Sequence, residues 1–298
     1  MQKKSMAYIF VALAILVWGS VPAVGKMILA NLSTLQVMFY SSLMSTIVVG
    51  AIVFSQKRFI TTIGGYHWKD FICFFYLGFI GTFMYCLLQF AGLKYTSAQE
   101  ANIINYTWPI WIIIFSIFIL KLKLNWRIVV AIILSFVGIY IAISRGSLSS
   151  FPLAHLKGNI FALMAAVCYG FFGVAAKKYH FETFTSMFFY FLVATVLSGI
   201  CVLIFSFFPL LSLDQIYAFF WLGGISNGLG FVFWFLALKH GDIAKMSNII
   251  FLTPFAGLVF IYFINKETIY PASILGLILI IFGIVLQQMS SKKEIKNT

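Results

Sequence analysis

Charge is scarce in this sequence. Only 9% of its 298 residues are Asp, Glu, Lys or Arg, and seven in all are acidic. A water-soluble domain carries about a quarter charged residues, so water cannot be the solvent for most of this chain. Metal and thiol chemistry is equally thin. Cys73, Cys86, Cys168 and Cys201 lie in or at the end of apolar runs and make no CxxC pair. They read as small buried hydrophobes rather than a disulfide framework or a metal site. His67, His155, His180 and His240 fall near run ends without HExxH spacing, which makes them solvated loop or interface residues. A Walker-type phosphate loop is missing, so neither direct use of ATP nor any other cofactor is expected. No His–carboxylate or Ser–base constellation suggests a membrane-embedded enzyme. The basic excess, +13 by formal count, is scattered between apolar runs and forms no stripe, which argues against nucleic acid as a partner.

What the chain has is hydrophobicity, 62% of its residues. A membrane helix needs about 20 mostly apolar residues. Ten such runs can be read, at about 6–29, 35–55, 69–92, 98–120, 126–144, 156–178, 184–207, 215–238, 244–264 and 270–289. The fold class is therefore all-α and polytopic, with the lipid bilayer as partner and a cell (inner) membrane location. The first run follows Lys3 and Lys4 and could pass for a signal peptide, but it has a counterpart later in the chain, which a cleaved segment would not need. Placing the N-terminus inside puts fifteen Lys and Arg on inner segments. Five fall on outer ones: Lys26, Lys94, Arg145, Lys157 and Lys266. The positive-inside rule then predicts both termini in the cytoplasm.

The two halves resemble each other. VWGSVPAVGK (17–26) aligns with CYGFFGVAAK (168–177) at an offset of 151. LGFIGTFMYCLLQFAGLKY (77–95) aligns with LGGISNGLGFVFWFLALKH (222–240) at an offset of 145. At the second offset Pro109 meets Pro254, Lys121 meets Lys266 and Gly138 meets Gly283. Two five-helix repeats, 1–147 and 148–298, form one transport unit. Five is odd, so the second copy enters the membrane from the opposite side. Inverted repeats of this kind let a protein close one side or the other around a site between them.

Helical spacing places Gly78, Gly81, Tyr85, Gln89 and Gly92 on one face of the third run, and Gly223, Asn227, Gly230, Trp234 and Ala237 on one face of the eighth. The glycines suit close helix packing. The amides and aromatics suit a polar cavity, because polar groups at membrane depth need partners. The stretch NIINYTWP (102–109) belongs to the same class. Asn102, Asn105, Tyr106 and Pro109 share a stripe, with Trp108 beside it. Pro109 has no N–H for the carbonyl of Asn105, Pro254 none for Ile250 and Pro22 none for Trp18. These three prolines are the expected helix-break or gating positions, each with a carbonyl left for a solute, a water or a side chain. Ser247 and Asn248 precede Pro254 as the amides precede Pro109. Trp18, Tyr85, Tyr106, Trp108, Tyr169 and Trp234 would give the cavity aromatic walls, with Gln89 and Asn227 among its polar groups. Trp68, Trp126 and Trp221 lie near run ends, as interfacial belt residues do. Lys26 and its counterpart Lys177 are expected to snorkel to the interface, the alternative being that they attract an anionic group of the solute. Glu100 is the one carboxylate placed to couple transport to protons.

YTSAQEANIINYTWP (95–109), the NW at 125–126, KHGDIAKMSNIIFLTP (239–254) and the KE at 266–267 resemble the drug/metabolite transporter superfamily. The similarity is to its ten-helix, duplicated, EamA-type branch, and the first-half motifs look like the aromatic amino acid and paraquat exporters within it. The resemblance implies a bundle with a central cavity and export of amino acids or similar small metabolites. By position it points to Glu100, Asn102, Asn105, Tyr106, Trp108, Pro109, Ser247, Asn248, Pro254 and Glu267. Where the superfamily often has an acidic residue at the end of the fourth span, this chain has Leu122. The reading is thus a monomeric exporter working by alternating access, most simply by facilitated diffusion. Proton antiport of another metabolite or a cationic drug, a channel, and a non-transporting receptor or scaffold stay open.

Overall fold

A computed structural model describes residues 2–56, 59–122, 124–145 and 155–295. The boundary at 147/148 and the loop charges Lys57, Arg58, Lys123 and Lys296 lie outside these residues, as do the side chains of Lys3, Lys4, Lys292 and Lys293.

Among the described residues all regular structure is helical, and nine helices are long and apolar enough to cross a membrane. They are α1 (Gln2–Ile28), α2 (Thr34–Ser55), α3 (Trp68–Tyr95), α4 (Ala98–Ile119), α5 (Trp126–Ile143), α6 (Leu156–Lys178), α7 (Thr183–Phe205), α8 (Leu213–His240) and α9 (Lys245–Asn265). The tenth run is also helical, α10 (Pro271–Ile295), with an apolar part at Pro271–Gln287. A short helix, Phe59–Gly64, joins α2 to α3.

Side-chain caps fix most helix starts by accepting from the free N–H groups of the first turn. Ser33 and Gln36 form a reciprocal box on α2, and Ser212 and Gln215 one on α8. Ser97 caps α4, Asn125 caps α5, Glu182 caps α7 and Asp242 caps the first turn of α9. Ser97 and Asp242 occupy the same place in the two repeats, 145 residues apart. So do Lys121 and Lys266, which both turn the chain through the left-handed region at φ 54° and 57°.

Helix packing obeys the two-fold that an inverted repeat demands. α1 packs on α8 as α6 packs on α3, and α1 on α9 as α6 on α4. α2 pairs with α7 and α5 with α10, each with its own counterpart. In the α5–α10 pair the backbones nearly touch. A Cβ at Gly138 would sit 2.5 Å from the Gly276 carbonyl, and one at Gly283 would sit 2.9 Å from the carbonyl of Ala131. Those two contacts are related by the 145-residue offset. Lipid offers apolar side chains as good a home as protein does, so close approach over small residues is what holds such pairs together.

α3 and α8 both widen in the middle, at Phe79–Met84 and Phe220–Leu229, into π-helical turns that bond five residues back instead of four. α4 and α9 both break. The first half of α4 is Ala98–Asn105 and the second is Trp108–Ile119; α9 changes to a 3-10 turn at Ile250–Leu252 before resuming at Thr253. Four irregular helices, in repeat-related pairs, surround the centre of the bundle. Irregular backbone at membrane depth is tolerated where protein or a cavity satisfies it.

Candidate functional site

A cavity of about 630 Å³ lies between the two repeats, within the size range of small-molecule sites. It runs from Val21, Pro22, Phe90 and Leu93 at one end to Tyr179, Phe181 and Thr183 at the α6–α7 connection. Eleven of the twelve residues read as substrate-binding line it. They are Trp18, Tyr85, Gln89, Asn102, Asn105, Tyr106, Trp108, Tyr169, Asn227, Trp234 and Ser247. Asn248 lies off the wall and is exposed. Being next to Ser247 on a helix, it points about 100° away.

The wall is aromatic on two sides. Trp18 lies 5.2 Å from Phe231 and 6.3 Å from Trp234, ring centre to ring centre. Across from it Tyr169 lies 4.8 Å from Tyr85 and 5.2 Å from Trp108. Trp18 and Tyr169 are repeat-related. Trp18 fits because position 230 is glycine, where a Cβ would meet its Nε1 at 2.6 Å. The Trp18 indole donates to the Ser226 carbonyl at 3.0 Å, so that N–H is already satisfied. The glycine faces of α3 and α8 divide their labour. Gly78 and Gly92 press on the backbones of Tyr190 and Ala162, and Gly223 on that of α2 at Ser41. Gly81 makes room for the ring of Phe172, while Tyr85, Gln89, Asn227 and Trp234 face the space.

Several polar groups on the wall are tied to protein. The Asn102 amide donates to the Pro254 carbonyl at 3.1 Å, fastening the two broken helices to each other. Asn227 donates to Ser45 at 3.1 Å, and Thr82 to the Tyr190 carbonyl at 2.8 Å. The Ile250 carbonyl, expected to be free, accepts from the Thr253 hydroxyl at 2.5 Å. Thr253 thus replaces the donor that Pro254 removes. Pro22 departs further from expectation. α1 runs through it unbroken, because the rest of the helix and its packing on α8 and α9 keep the segment helical. Among the described residues no Asp, Glu, His, Lys or Arg lines the cavity.

The charges collect at one end of the bundle instead. Lys26, near the end of α1, donates to the carbonyls of Leu93 and Thr96 at the end of α3, both at 2.6 Å. Lys94, near the end of α3, donates to the Leu29 carbonyl just past α1 at 2.5 Å. Each lysine caps the other helix, where the aligned dipoles favour a cation. Lys26 thus spends its ammonium on a neighbouring helix end. The carboxylate of Glu267 accepts from Ala98 N at 2.8 Å and Gln99 N at 3.2 Å, which caps α4. Gln99 donates to Thr268 O at 2.8 Å, and Asn265 donates to Ala23 O at 3.1 Å. These bonds form a latch joining α1, α3, α4 and the α9–α10 turn. A smaller polar pocket lies over it, lined by Lys26, Lys94, Gln99, Arg145, His155 and Glu267 among others.

Glu100 sits beneath this latch and not on the cavity wall. It is 1% exposed and accepts from Arg145 Nη2 at 3.1 Å and Thr96 Oγ1 at 2.8 Å, with His155 Nδ1 at 3.2 Å. The structure makes it the hub of a buried ion pair. His155 is correspondingly no free loop residue, and Trp221, read as an interfacial belt residue, donates to Ser20 at 2.7 Å. Neither role had a motif to announce it: the partners are 55 and 201 residues away. At the other end of the bundle the repeat counterparts of Lys26 and Lys94, Lys177 and Lys239, are exposed. The counterpart of Glu267 is Leu122.

The model of the EamA-like transporter family matches residues 5–144 and again 156–287. The chain belongs to that family. An uncharacterized transporter of Archaeoglobus fulgidus is 24% identical over 93% of this chain and 95% of that protein. The aromatic amino acid exporter YddG of Ancylobacter novellus is 24% identical over 59% of this chain and 62% of that protein. A crystal structure superposes with a TM-score of 0.67 at 20% identity, covering 97% of this chain and 99% of that one, which is a likeness of fold. The two EamA-like matches divide the chain between α5 and α6, in keeping with the duplicated packing. The chain is a multi-pass membrane transporter.

Proposed function

We propose that this protein moves small metabolites with an aromatic or apolar body, aromatic amino acids and their relatives foremost, across the cell's inner membrane by alternating access. The observation that carries this reading is the aromatic cavity, bare of ionised side chains among the described residues, held between two inverted repeats and latched at one end. With both termini in the cytoplasm, as the charge distribution predicts, the latch closes the outer end and the cavity is reached from inside, which suits export. Similarity to the YddG exporter supports the solute class.

A coupled antiporter needs a titratable group that solute and proton both reach. Glu100 is shielded from the cavity and neutralised by Arg145, which favours facilitated diffusion. Flux of labelled phenylalanine, tryptophan, threonine and a control sugar, measured in liposomes with and without a pH gradient, tests this. Aromatic flux of equal initial rate under both conditions is expected. Accumulation against a concentration gradient, driven by the pH gradient, would restore proton coupling.

A further inference from the structure

Deepening the reading above and resting on it, we propose that Asn105, with the ring faces of Tyr85, Tyr169 and Trp108, is a subsite that recognises the ammonium group of the solute. Four observations converge on this.

The first is an acceptor without a donor. Asn105 is 8% exposed, and its amide N–H group donates to the Tyr85 hydroxyl at 3.3 Å. Its Oδ1 is buried without a hydrogen-bond partner, in a residue that lines the cavity. A buried acceptor left unsatisfied destabilises the state that holds it, and what completes it must be a donor. The second is the backbone. Asn105 ends the first half of α4, and a helix C-terminus carries partial negative charge. Pro109 stands where the next turn would supply an N–H to the Asn105 carbonyl, and it has none.

The third is the surroundings. Tyr169 stands 4.8 Å from Tyr85 and 5.2 Å from Trp108, ring centre to ring centre, and aromatic faces attract cations. Among the described residues no charged side chain of either sign lines the cavity, so neither a carboxylate nor an ammonium meets a counter-charge there, and the ammonium alone gains from the π faces. The fourth is one-sidedness. The repeat counterpart of Asn105 is Ile250, whose carbonyl is covered by Thr253. One ammonium site in an otherwise pseudo-symmetric cavity gives the solute an orientation. The ligand class is a primary amine with an aromatic body, a free amine or an amino acid, and the carboxylate of the latter is dispensable.

The test uses the full chain in detergent, with tryptophan fluorescence as readout, since Trp18, Trp108 and Trp234 line the cavity. The probes are phenylalanine methyl ester and tyramine, which keep the amine, and N-acetylphenylalanine, which keeps only the carboxylate. The amine probes are expected to bind at least about tenfold more tightly, the worth of a hydrogen bond between a buried acceptor and a charged donor. Asn105→Leu should erase the difference and Asn105→Asp enlarge it. Tyr85→Phe keeps the ring and removes the hydroxyl that holds the Asn105 amide. It serves where Asn105→Leu does not fold, and should weaken the amine probes several-fold. N-acetylphenylalanine binding as tightly as tyramine, the preference surviving Asn105→Leu, or no binding of the amine probes would each overturn the subsite. Liposome flux separates this from the transport reading. Amines that bind but never cross would sink transport and leave the subsite standing; phenylalanine crossing with no preference for amine probes would do the reverse.

Discussion

Replacing Glu267 with glutamine removes one negative charge from the start of α4 and changes little else in size. In the wild type both carboxylate oxygens accept backbone N–H groups, at 2.8 and 3.2 Å. The glutamine retains one acceptor and turns an NH₂ toward the other N–H, so one bond is lost and a donor faces a donor. A hydrogen bond to a charged group contributes about 1.5–3 kcal/mol, and the helix dipole adds about 0.3–1 kcal/mol. Glu267 is only half-buried, and water screens part of this, which leaves about 1–2 kcal/mol. The latched state should lose that amount relative to the unlatched one, a shift of about 5- to 30-fold in their ratio. Cys86 lines the cavity below the latch and reports on it. In a background of Cys73→Ser, Cys168→Ser and Cys201→Ser, an impermeant thiol reagent applied from the latch side should label Cys86 at least about fivefold faster in the Glu267→Gln protein. Labelling that is unchanged, or faster only from the opposite side, would refute the argument that these bonds close this end.

Glu100→Gln should leave the response of transport to a pH gradient unaltered in liposomes, because the carboxylate faces Arg145 and His155 and not the cavity. Arg145→Met should instead lower thermal stability in detergent by about 3 kcal/mol, toward the small end of the cost of stranding a buried charge, since the arginine is itself a third exposed. Gly276→Val puts a Cβ 3.0 Å from that of Ala142 and against the Gly138 carbonyl, and should cost about 1–3 kcal/mol as overpacking of the α5–α10 seam, read as a lower melting temperature. Asn102→Ala removes the bond to the Pro254 carbonyl that fastens the two broken helices to each other, and should cost about 0.5–1.5 kcal/mol in the same assay while slowing flux.

The span positions were legible because lipid imposes a length on every apolar run, and the duplication because Pro109 and Pro254, Lys121 and Lys266, and Gly138 and Gly283 keep their spacing. The cavity wall was legible for the same reason: on helices, spacing alone decides which side chains share a face. Asn248 shows where that fails, one residue and about 100° off the stripe. The latch was not legible. Lys26, Lys94 and Glu267 look like ordinary interfacial charges, and what they bind is backbone carbonyls and N–H groups, which carry no sequence signal. Glu100 stood out as a lone carboxylate near a membrane-spanning stretch. Its meaning changed once the fold brought Arg145 and His155 to it across 45 and 55 residues. The π-helical turns in α3 and α8 had only their glycines as a hint, and glycine also serves plain packing.

The central claim is that one cavity is exposed alternately to the two sides of the membrane. Counterflow tests it most directly: liposomes containing the protein are loaded with unlabelled phenylalanine, and labelled phenylalanine is added outside at low concentration. Alternating access predicts a transient accumulation of label above its equilibrium level, because loaded carriers return in exchange. A simple rise to equilibrium with no overshoot, at a rate indifferent to the unlabelled solute within, would mean a channel and contradict the account.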